Sequence, residues 1–441
     1  QHLPTSAQRR LISNVESRVE VFLNDLVAQM VDGHLPCELV RRICKAEGLS
    51  HQGYLQSAQP TAQWITKIED IDLPKLDPSC PPIPKAVWKE SLPPLLRDFV
   101  DRPESYITER NEIVNNTTNM CEPAVARDLI DRLCDEGLIT WMDKSKVYDR
   151  VSGVFGVSKA SGHKVRLIVN LSEVNKLWSG GELHAEARRN DPLPTTEDFR
   201  YLVFDNTESQ QEFSVIINKQ DVSTCFYNLE SGSELGKYFQ LDCQNPKRCR
   251  TYPEGLKNLN LVPTFNRIPM GYLYSVFIVQ SFIKDTCSAL PPEMNLATNR
   301  ISRPPVYSSI IDDVFAAASN DDRPILVRWY DLVKRRWKKV DLPSQELKNS
   351  PQLEDQELLG WLLSRRGHFG LAPKKLYSIM IFSCYLMGRF KTSGSMRAKL
   401  LGKCVNASLS RRQLLSLFSS SSFDCYQQTD QLLPWSSSAL S

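Results

Sequence analysis

An α+β fold is predicted by three features of the sequence. Helix-like and strand-like patterns alternate irregularly, which disfavours a doubly wound parallel sheet. Two apolar runs of strand character, near 213–217 and over 307–311, each lead into aspartate: Asp221 after the first, Asp312 and Asp313 after the second. The runs 153–158 and 165–171 flank a polar tip, Lys159-Ala-Ser-Gly-His-Lys164, whose Gly162 suits a turn, so they read as a β-hairpin with a basic end. There is no internal repeat.

Composition narrows the class. With 441 residues, 41% hydrophobic and 24% charged, the chain has material for two or three packed subdomains and lacks the bias of a disordered protein. No stretch reaches the roughly 18 consecutive apolar residues of a membrane span, and the start has no basic-then-apolar signal, so no membrane role and an intracellular setting are expected. The twelve cysteines are scattered without a CxxC pair, as in a reducing compartment. His34, Cys37, Cys44 and His51 form a series that zinc could use. Cys37 and Cys44, however, lie in a helix-like run at a spacing that suits packed apolar side chains.

The first 72 residues carry helical apolar spacing, as in Val19, Leu23, Leu26, Val27 and Met30, without identifiable chemistry. Over 73–121, Pro74, Pro78, Pro81, Pro82, Pro84, Pro93 and Pro94 crowd together, and the repeated loss of backbone donors predicts a linker. From Glu122 a helix is expected: Pro123 suits its first turn, Val125, Leu129 and Leu133 recur at four-residue spacing, and Gly137 is placed to end it.

The formal net charge of +3 is too small to announce a nucleic-acid binder, so its distribution matters more. Between Leu386 and Phe423 there is no Asp or Glu, while Arg389, Lys391, Arg397, Lys399, Lys403, Arg411 and Arg412 are cationic. Such a stretch is either a solvated basic surface or a track for a phosphate backbone.

The aspartates carry the chemistry. In-line displacement at phosphorus can be driven by two divalent ions roughly 3.5–4 Å apart, which need hard oxygen ligands. Mg2+ is usually held by a few carboxylates plus substrate phosphates, so one Asp at one strand end and an Asp pair at another is the expected signature. An Asp pair alone is more often a turn or a cap, and Asp321-Asp322, just before Pro324, reads that way. Asp312-Asp313 differs in its apolar flanks, Ile310-Ile311 and Val314-Phe315: burying that hairpin holds two carboxylates at its tip, which is costly without cations.

From about Pro123 to about Tyr426 the sequence resembles, in order, the reverse transcriptases of retroviruses and of gypsy-type and related retrotransposons. Val154-Phe-Gly-Val-Ser-Lys159 and Val165-Arg-Leu-Ile-Val-Asn-Leu-Ser-Glu-Val-Asn-Lys176 look like the family's fingers hairpin, which implies Lys159 and Arg166 as triphosphate-gripping cations. The Asp221 segment, Lys219-Gln-Asp-Val-Ser-Thr-Cys-Phe-Tyr227, is similar to the first catalytic motif. There Val222 would adjoin the nucleotide, and the Phe226 ring beneath the sugar would exclude a 2′-hydroxyl. Core packing is the competing reading of Phe226. Ile268-Pro-Met-Gly271, ending ten residues on in Gln280, resembles the Pro-x-Gly motif, where Met270 and Gly271 would approach template and incoming nucleotide. Phe369-Gly-Leu-Ala-Pro-Lys-Lys375 and Tyr385-Leu-Met-Gly388 are similar to the late palm lysine, here Lys375, and to the primer grip. The grip and the basic stretch imply Leu386, Gly388, Arg389, Lys391, Arg397 and Lys399 as template-primer contacts.

The resemblance implies a right-hand polymerase fold: a helical region at 1–72, a lead-in at 73–121, fingers at 122–212, a palm at 213–390 with an insertion at about 317–360, and the start of a thumb at 391–441. It implies RNA-directed DNA polymerisation with Mg2+ or Mn2+ on Asp221, Asp312 and Asp313, using an RNA or DNA template with its primer, and dNTPs. Ribonuclease H or integrase domains, if fused, are expected beyond Ser441. Departures from the pattern are Asn170 and Ser172 for Asp and Arg, Ile310 for Tyr, and Gln220 for an apolar residue. They keep open a catalytically silent nucleic-acid-binding remnant, or a related palm-type RNA polymerase. Within the insertion, Trp329-Tyr-Asp-Leu-Val-Lys-Arg-Arg-Trp-Lys-Lys339 reads either as a nucleic-acid-stacking run or as a helix with a packed Trp face and a solvated basic face.

Overall fold

The computed structural model describes residues 71–108, 122–158, 165–179, 181–189, 215–256, 258–288, 305–346 and 349–353. It also describes shorter stretches at 65–66, 356–358, 361–364, 369–372, 375–376, 379, 391–393, 400–404 and 432–434. Lys159, Leu386, Gly388, Arg389, Arg397 and Lys399 lie outside the described residues, as does the His34 to His51 series. Among the described residues no helix is long and apolar enough to cross a membrane.

In chain order the elements are β1 (Ile65–Thr66), α1 (Lys85–Trp88), α2 (Pro94–Asp101), α3 (Pro123–Asp135), β2 (Ile139–Asp143), β3 (Gly153–Ser158), β4 (Val165–Asn170), α4 (Ser172–Asn175) and α5 (Gly181–Arg189). They continue with β5 (Val215–Asp221), α6 (Gly232–Gly236), β6 (Leu261–Phe265), α7 (Ser275–Cys287), β7 (Val306–Ile310), β8 (Asp313–Ser319) and α8 (Arg323–Lys339). The last strands are β9 (Ser350–Leu353), β10 (Gln356–Leu358), β11 (Trp361–Leu363), β12 (Phe369–Leu371), β13 (Lys391–Ser393) and β14 (Leu432–Pro434). The fold is thus mixed, with helices around small antiparallel sheets.

α3 forms as its sequence dictates. Pro123 occupies the first turn, where a missing N–H costs nothing, and Leu129 and Leu133 are buried. Gly137, with φ +67°, ends the helix by letting the Leu138 N–H reach Leu133 O at 2.9 Å. The hairpin β3–β4 pairs Gly153 with Asn170 through Ser158 with Val165. Two of its departures form a matched pair: Asn170 Oδ1 accepts from the Ser172 hydroxyl at 2.8 Å and the Ser172 N–H at 3.3 Å, an Asx turn that opens α4.

The central sheet runs β7-β8-β5-β9, antiparallel throughout. Period-2 alternation gives it two faces. Ile216, Val314, Ala316 and Ala318 join the main core with Leu326, Trp329, Val333 and Trp337 of α8. Val215, Ile217, Phe315 and Ala317 form a second cluster with Val306 and Leu363 on the opposite face. Asn218 and Gln220 are wholly buried and donate to Leu326 O (2.9 Å) and Tyr330 O (3.1 Å). Gln220 therefore stands in place of an apolar residue because it ties the sheet to α8.

Two expectations are corrected, and one open alternative is decided. The Pro-rich stretch at 73–121 is not a linker over its described part: Pro94 starts α2 and Pro103 a following 3-10 turn, positions that need no N–H. Trp88, Leu96, Phe99 and Val100 are fully buried, and Phe99 packs edge-on against Trp178 and Tyr274. Each such side chain contributes about 1.5–3 kcal/mol by leaving water. The segment at 317–360 is not an appended insertion. Its first residues complete β8, α8 backs the sheet, and β9 adds a strand beside β5. Finally, Trp329 and Trp337 are buried (0% and 1% exposed), so they are not surfaces on which bases stack. The outward side of α8 is left to Arg335, Arg336, Lys338 and Lys339.

Candidate active site

The register of the central sheet brings two of the three predicted aspartates face to face. β5 and β8 pair from Val215 with Ser319 through Asp221 with Asp313. Directly opposed residues of an antiparallel pair share a face, their Cβ atoms about 4.5–5.5 Å apart. Asp221 and Asp313 are such a pair, on the face away from α8. Asp221 is buried (4% exposed), and Asp313 is half-buried.

Asp312 stands in the two-residue turn between β7 and β8, and its carbonyl accepts the Val222 N–H at 2.9 Å. The hairpin tip is thus fastened to the end of β5. Ile311 occupies the first turn position with φ +55°, where Gly would sit freely and a β-branched residue is strained by about 1–3 kcal/mol. Gln280, wholly buried on α7, holds it there. Its Oε1 accepts the Ile311 N–H at 2.5 Å, while its Nε2 donates to Ser309 O at 2.6 Å and to Ser309 Oγ at 3.1 Å. Burial pushes the Cys225 thiol well up, and the negative charges of Asp312 and Asp221 add to the rise, so these two carboxylates share its neighbourhood.

Lys219 lies two residues before Asp221 on the same face, and its ammonium is 3.0 Å from Asp313 Oδ1. The contact is not aligned as a hydrogen bond, and that buried oxygen has no hydrogen-bond partner among the described residues. Among the described residues no group of three or more His, Cys, Asp or Glu side chains is arranged to hold a metal ion. The residues nevertheless fit Mg2+ in chemistry. Two facing carboxylates, one of them already beside an ammonium that a metal ion could displace, are the kind of hard oxygen donors that Mg2+ uses when substrate phosphates supply the rest.

The other predicted residues separate into those near this centre and those apart. Val222 buries its side chain in the main core (2% exposed), so only its backbone faces the hairpin tip. Phe226 is half-buried against the same core, in the 3-10 turn Cys225–Asn228. That turn reaches the hairpin through Tyr227, whose hydroxyl donates to Leu167 O at 3.2 Å. Arg166, exposed on β4, lies one residue from this contact and opposite Val157.

Gly271 meets a close backbone approach within the chain itself. A Cβ there would stand 2.3 Å from Val169 O, and φ is +110°. The backbone that approaches Gly271 is therefore that of β4. Met270 O accepts the Val169 N–H at 3.2 Å, and Met270 packs partly against the core. Lys375 is exposed beyond the sheet β10-β11-β12, its N–H bonded to Ala372 O. Lys391 opens β13, paired with β14.

Several positioning residues escaped the sequence reading. Asn175 clamps the Pro-Met-Gly turn to α4, donating from Nδ2 to Gly271 O at 2.8 Å and accepting the Leu273 N–H at 2.9 Å. Lys219 was visible only as a neighbour of Asp221. Asn349 Oδ1 accepts the Asp221 N–H at 2.9 Å, a contact across the sheet edge that no local pattern announces.

No protein-family model and no curated protein matches the sequence. Among solved structures the chain is similar to the foamy viral protease-reverse transcriptase dRH in complex with ds DNA, at a TM-score of 0.47 and 12% identity, covering 92% of this chain and 58% of that one. It is also similar to the foamy viral protease-reverse transcriptase in complex with dsDNA, at a TM-score of 0.44 and 12% identity, covering 79% of this chain and 71% of that one. The chain thus spans less than two thirds of the length of the first of these proteins.

Proposed function

We propose that the chain is an RNA-directed DNA polymerase that adds deoxynucleotides to a primer 3′-hydroxyl on a nucleic-acid template. The observation that carries this reading is the cross-strand pairing of Asp221 with Asp313, with Asp312 in the adjoining turn. It is supported by the ordered motif resemblance set out above. Asp221, Asp312 and Asp313 would hold Mg2+ or Mn2+, which when bound neutralises phosphate oxygens and activates the attacking hydroxyl.

The chain's own residues do the rest. The tip of the β7–β8 hairpin is fixed to β5 and to Gln280, so the carboxylates are held on a rigid element, as catalysis by positioning requires. Arg166, exposed on the fingers strand, supplies a fork of donors suited to phosphate oxygens. Phe226 stands five residues after Asp221, where its ring would crowd a 2′-hydroxyl and favour deoxynucleotides.

Primer extension by the purified chain tests the reading, on an RNA template with a DNA primer, dNTPs and Mg2+ or Mn2+. Metal-dependent extension that disappears in the Asp312→Asn, Asp313→Asn double variant is expected. Phe226→Val is expected to admit ribonucleotides. Salt-sensitive template-primer binding without extension would contradict polymerase activity and favour the silent remnant.

A further inference from the structure

We infer that Asn349 is a positioning residue for Asp221, and that together with Pro343, Ser344 and Gln345 it forms the brace that sets this carboxylate for the nucleotidyl-transfer reading above, on which the inference rests. Strand pairing runs out at the end of β5. On one edge β5 pairs with β8 to its last residue, Asp221. On the other edge β9 pairs Leu353 with Ile217 and Ser350 with Lys219, with a register shift between them, and stops there. The peptide groups of Asp221 on that edge would be left without ladder partners, a costly state for backbone in a buried strand end.

The loop after α8 supplies those partners. Asp341, in the left-handed region at φ +56°, turns the chain out of α8. The Asn349 Oδ1 then accepts the Asp221 N–H at 2.9 Å, and the Gln345 N–H donates to Asp221 O at 2.8 Å. The Ser223 N–H donates to Pro343 O at 2.9 Å, and Val222 bridges Ser344. Asn349 is itself oriented, since its Nδ2 donates to Ser344 Oγ at 2.5 Å. Both peptide groups of a single aspartate are thereby held, by Asn349 and by Gln345. The side-chain amide stands where a strand residue would otherwise be. Because the carboxylate hangs from this backbone, loss of the amide oxygen frees the end of β5 to shift against Asp313.

The test uses the full chain in three forms: wild type, Asn349→Ala, which removes the acceptor, and Asn349→Asp, which retains it and can accept from the Ser344 hydroxyl. Amide hydrogen exchange at Asp221 and Mn2+ binding followed by electron paramagnetic resonance are read beside primer extension. Asn349→Ala is expected to speed exchange at Asp221, and to weaken Mn2+ binding and slow extension about 10-fold or more, as for other groups that orient ligands. The KM for dNTP and the affinity for template-primer should stay near wild type, and Asn349→Asp should recover most of the loss. Unchanged exchange and Mn2+ affinity in Asn349→Ala would overturn the brace, as would a loss that Asn349→Asp does not recover. If the wild type binds Mn2+ but does not extend a primer, the polymerase reading fails, while the exchange and Mn2+ arms still decide the brace.

Discussion

Two Asp-Asp pairs sit at opposite ends of β8, and their surroundings could hardly differ more. Asp312-Asp313 lies where β8 begins, at a hairpin tip whose turn is pinned by Gln280 and whose second aspartate faces Asp221 across the strand pair. Asp321-Asp322 lies just past the end of β8, in a 3-10 turn that leads into α8. There Asp321 is exposed, and Asp322 accepts a hydrogen bond from its near neighbour Ser319 at 3.1 Å. The dipeptide is the same; what changes is whether the chain around it presents its oxygens to one another or to water. Charge held together by packed backbone is available for binding a cation, whereas charge at a solvated turn only ends one element and begins the next.

Breaking the first pair should have the largest effect. Asp313→Asn, or Asp221→Asn, is expected to lower the rate of single-nucleotide incorporation by about 100-fold or more, beyond the 10–100-fold typical of losing a group that merely orients a ligand. Rapid-quench incorporation assays would measure it. Loosening the tip without touching a carboxylate should come next. Gln280→Leu leaves the Ile311 N–H and Ser309 O without partners, a cost of about 1–3 kcal/mol for each buried group. Both a lower thermal midpoint and about 10-fold slower incorporation are expected.

Removing the competing cation should have a smaller effect of opposite sign. Lys219→Met frees Asp313 from its ammonium neighbour, so the Mg2+ concentration giving half-maximal rate should fall roughly two- to five-fold, since each 1.4 kcal/mol corresponds to a factor of ten. A metal titration of the incorporation rate reads this directly. The smallest effect belongs to the second pair: the Asp321→Asn, Asp322→Asn variant should incorporate nucleotides at the wild-type rate and change stability by no more than about 0.5 kcal/mol.

The same contrast explains how much was legible in the sequence. α3, the β3–β4 hairpin and the strands leading to the aspartates could be read because capping by Pro123 and Gly137 and period-2 alternation are local signals. The apolar flanks of Asp312-Asp313 separated it from Asp321-Asp322 for the same reason. The pairing of Asp221 with Asp313 is a register between distant strands, which no local pattern encodes.

In the Pro-rich stretch the prolines dominate the local pattern, whereas Trp88, Leu96 and Phe99 among them are residues that only a core explains. The segment that contains β9 reads as superfluous because its strand partner, β5, precedes it by three helices, a strand and a whole hairpin. The sequence marks Gly271 as a close-approach residue, but the approaching group, Val169 O, becomes visible only once β4 is in place.

The central claim, that Asp221 and Asp313 form a cation-holding pair while the second Asp pair does not, is tested most directly by Mn2+ binding to the purified chain. Electron paramagnetic resonance titrations of the wild type, Asp313→Asn and Asp322→Asn would be compared. Asp313→Asn is expected to weaken Mn2+ binding about 10-fold or more while Asp322→Asn leaves it unchanged. Equal affinity in all three proteins, or a loss in Asp322→Asn as large as that in Asp313→Asn, would contradict it.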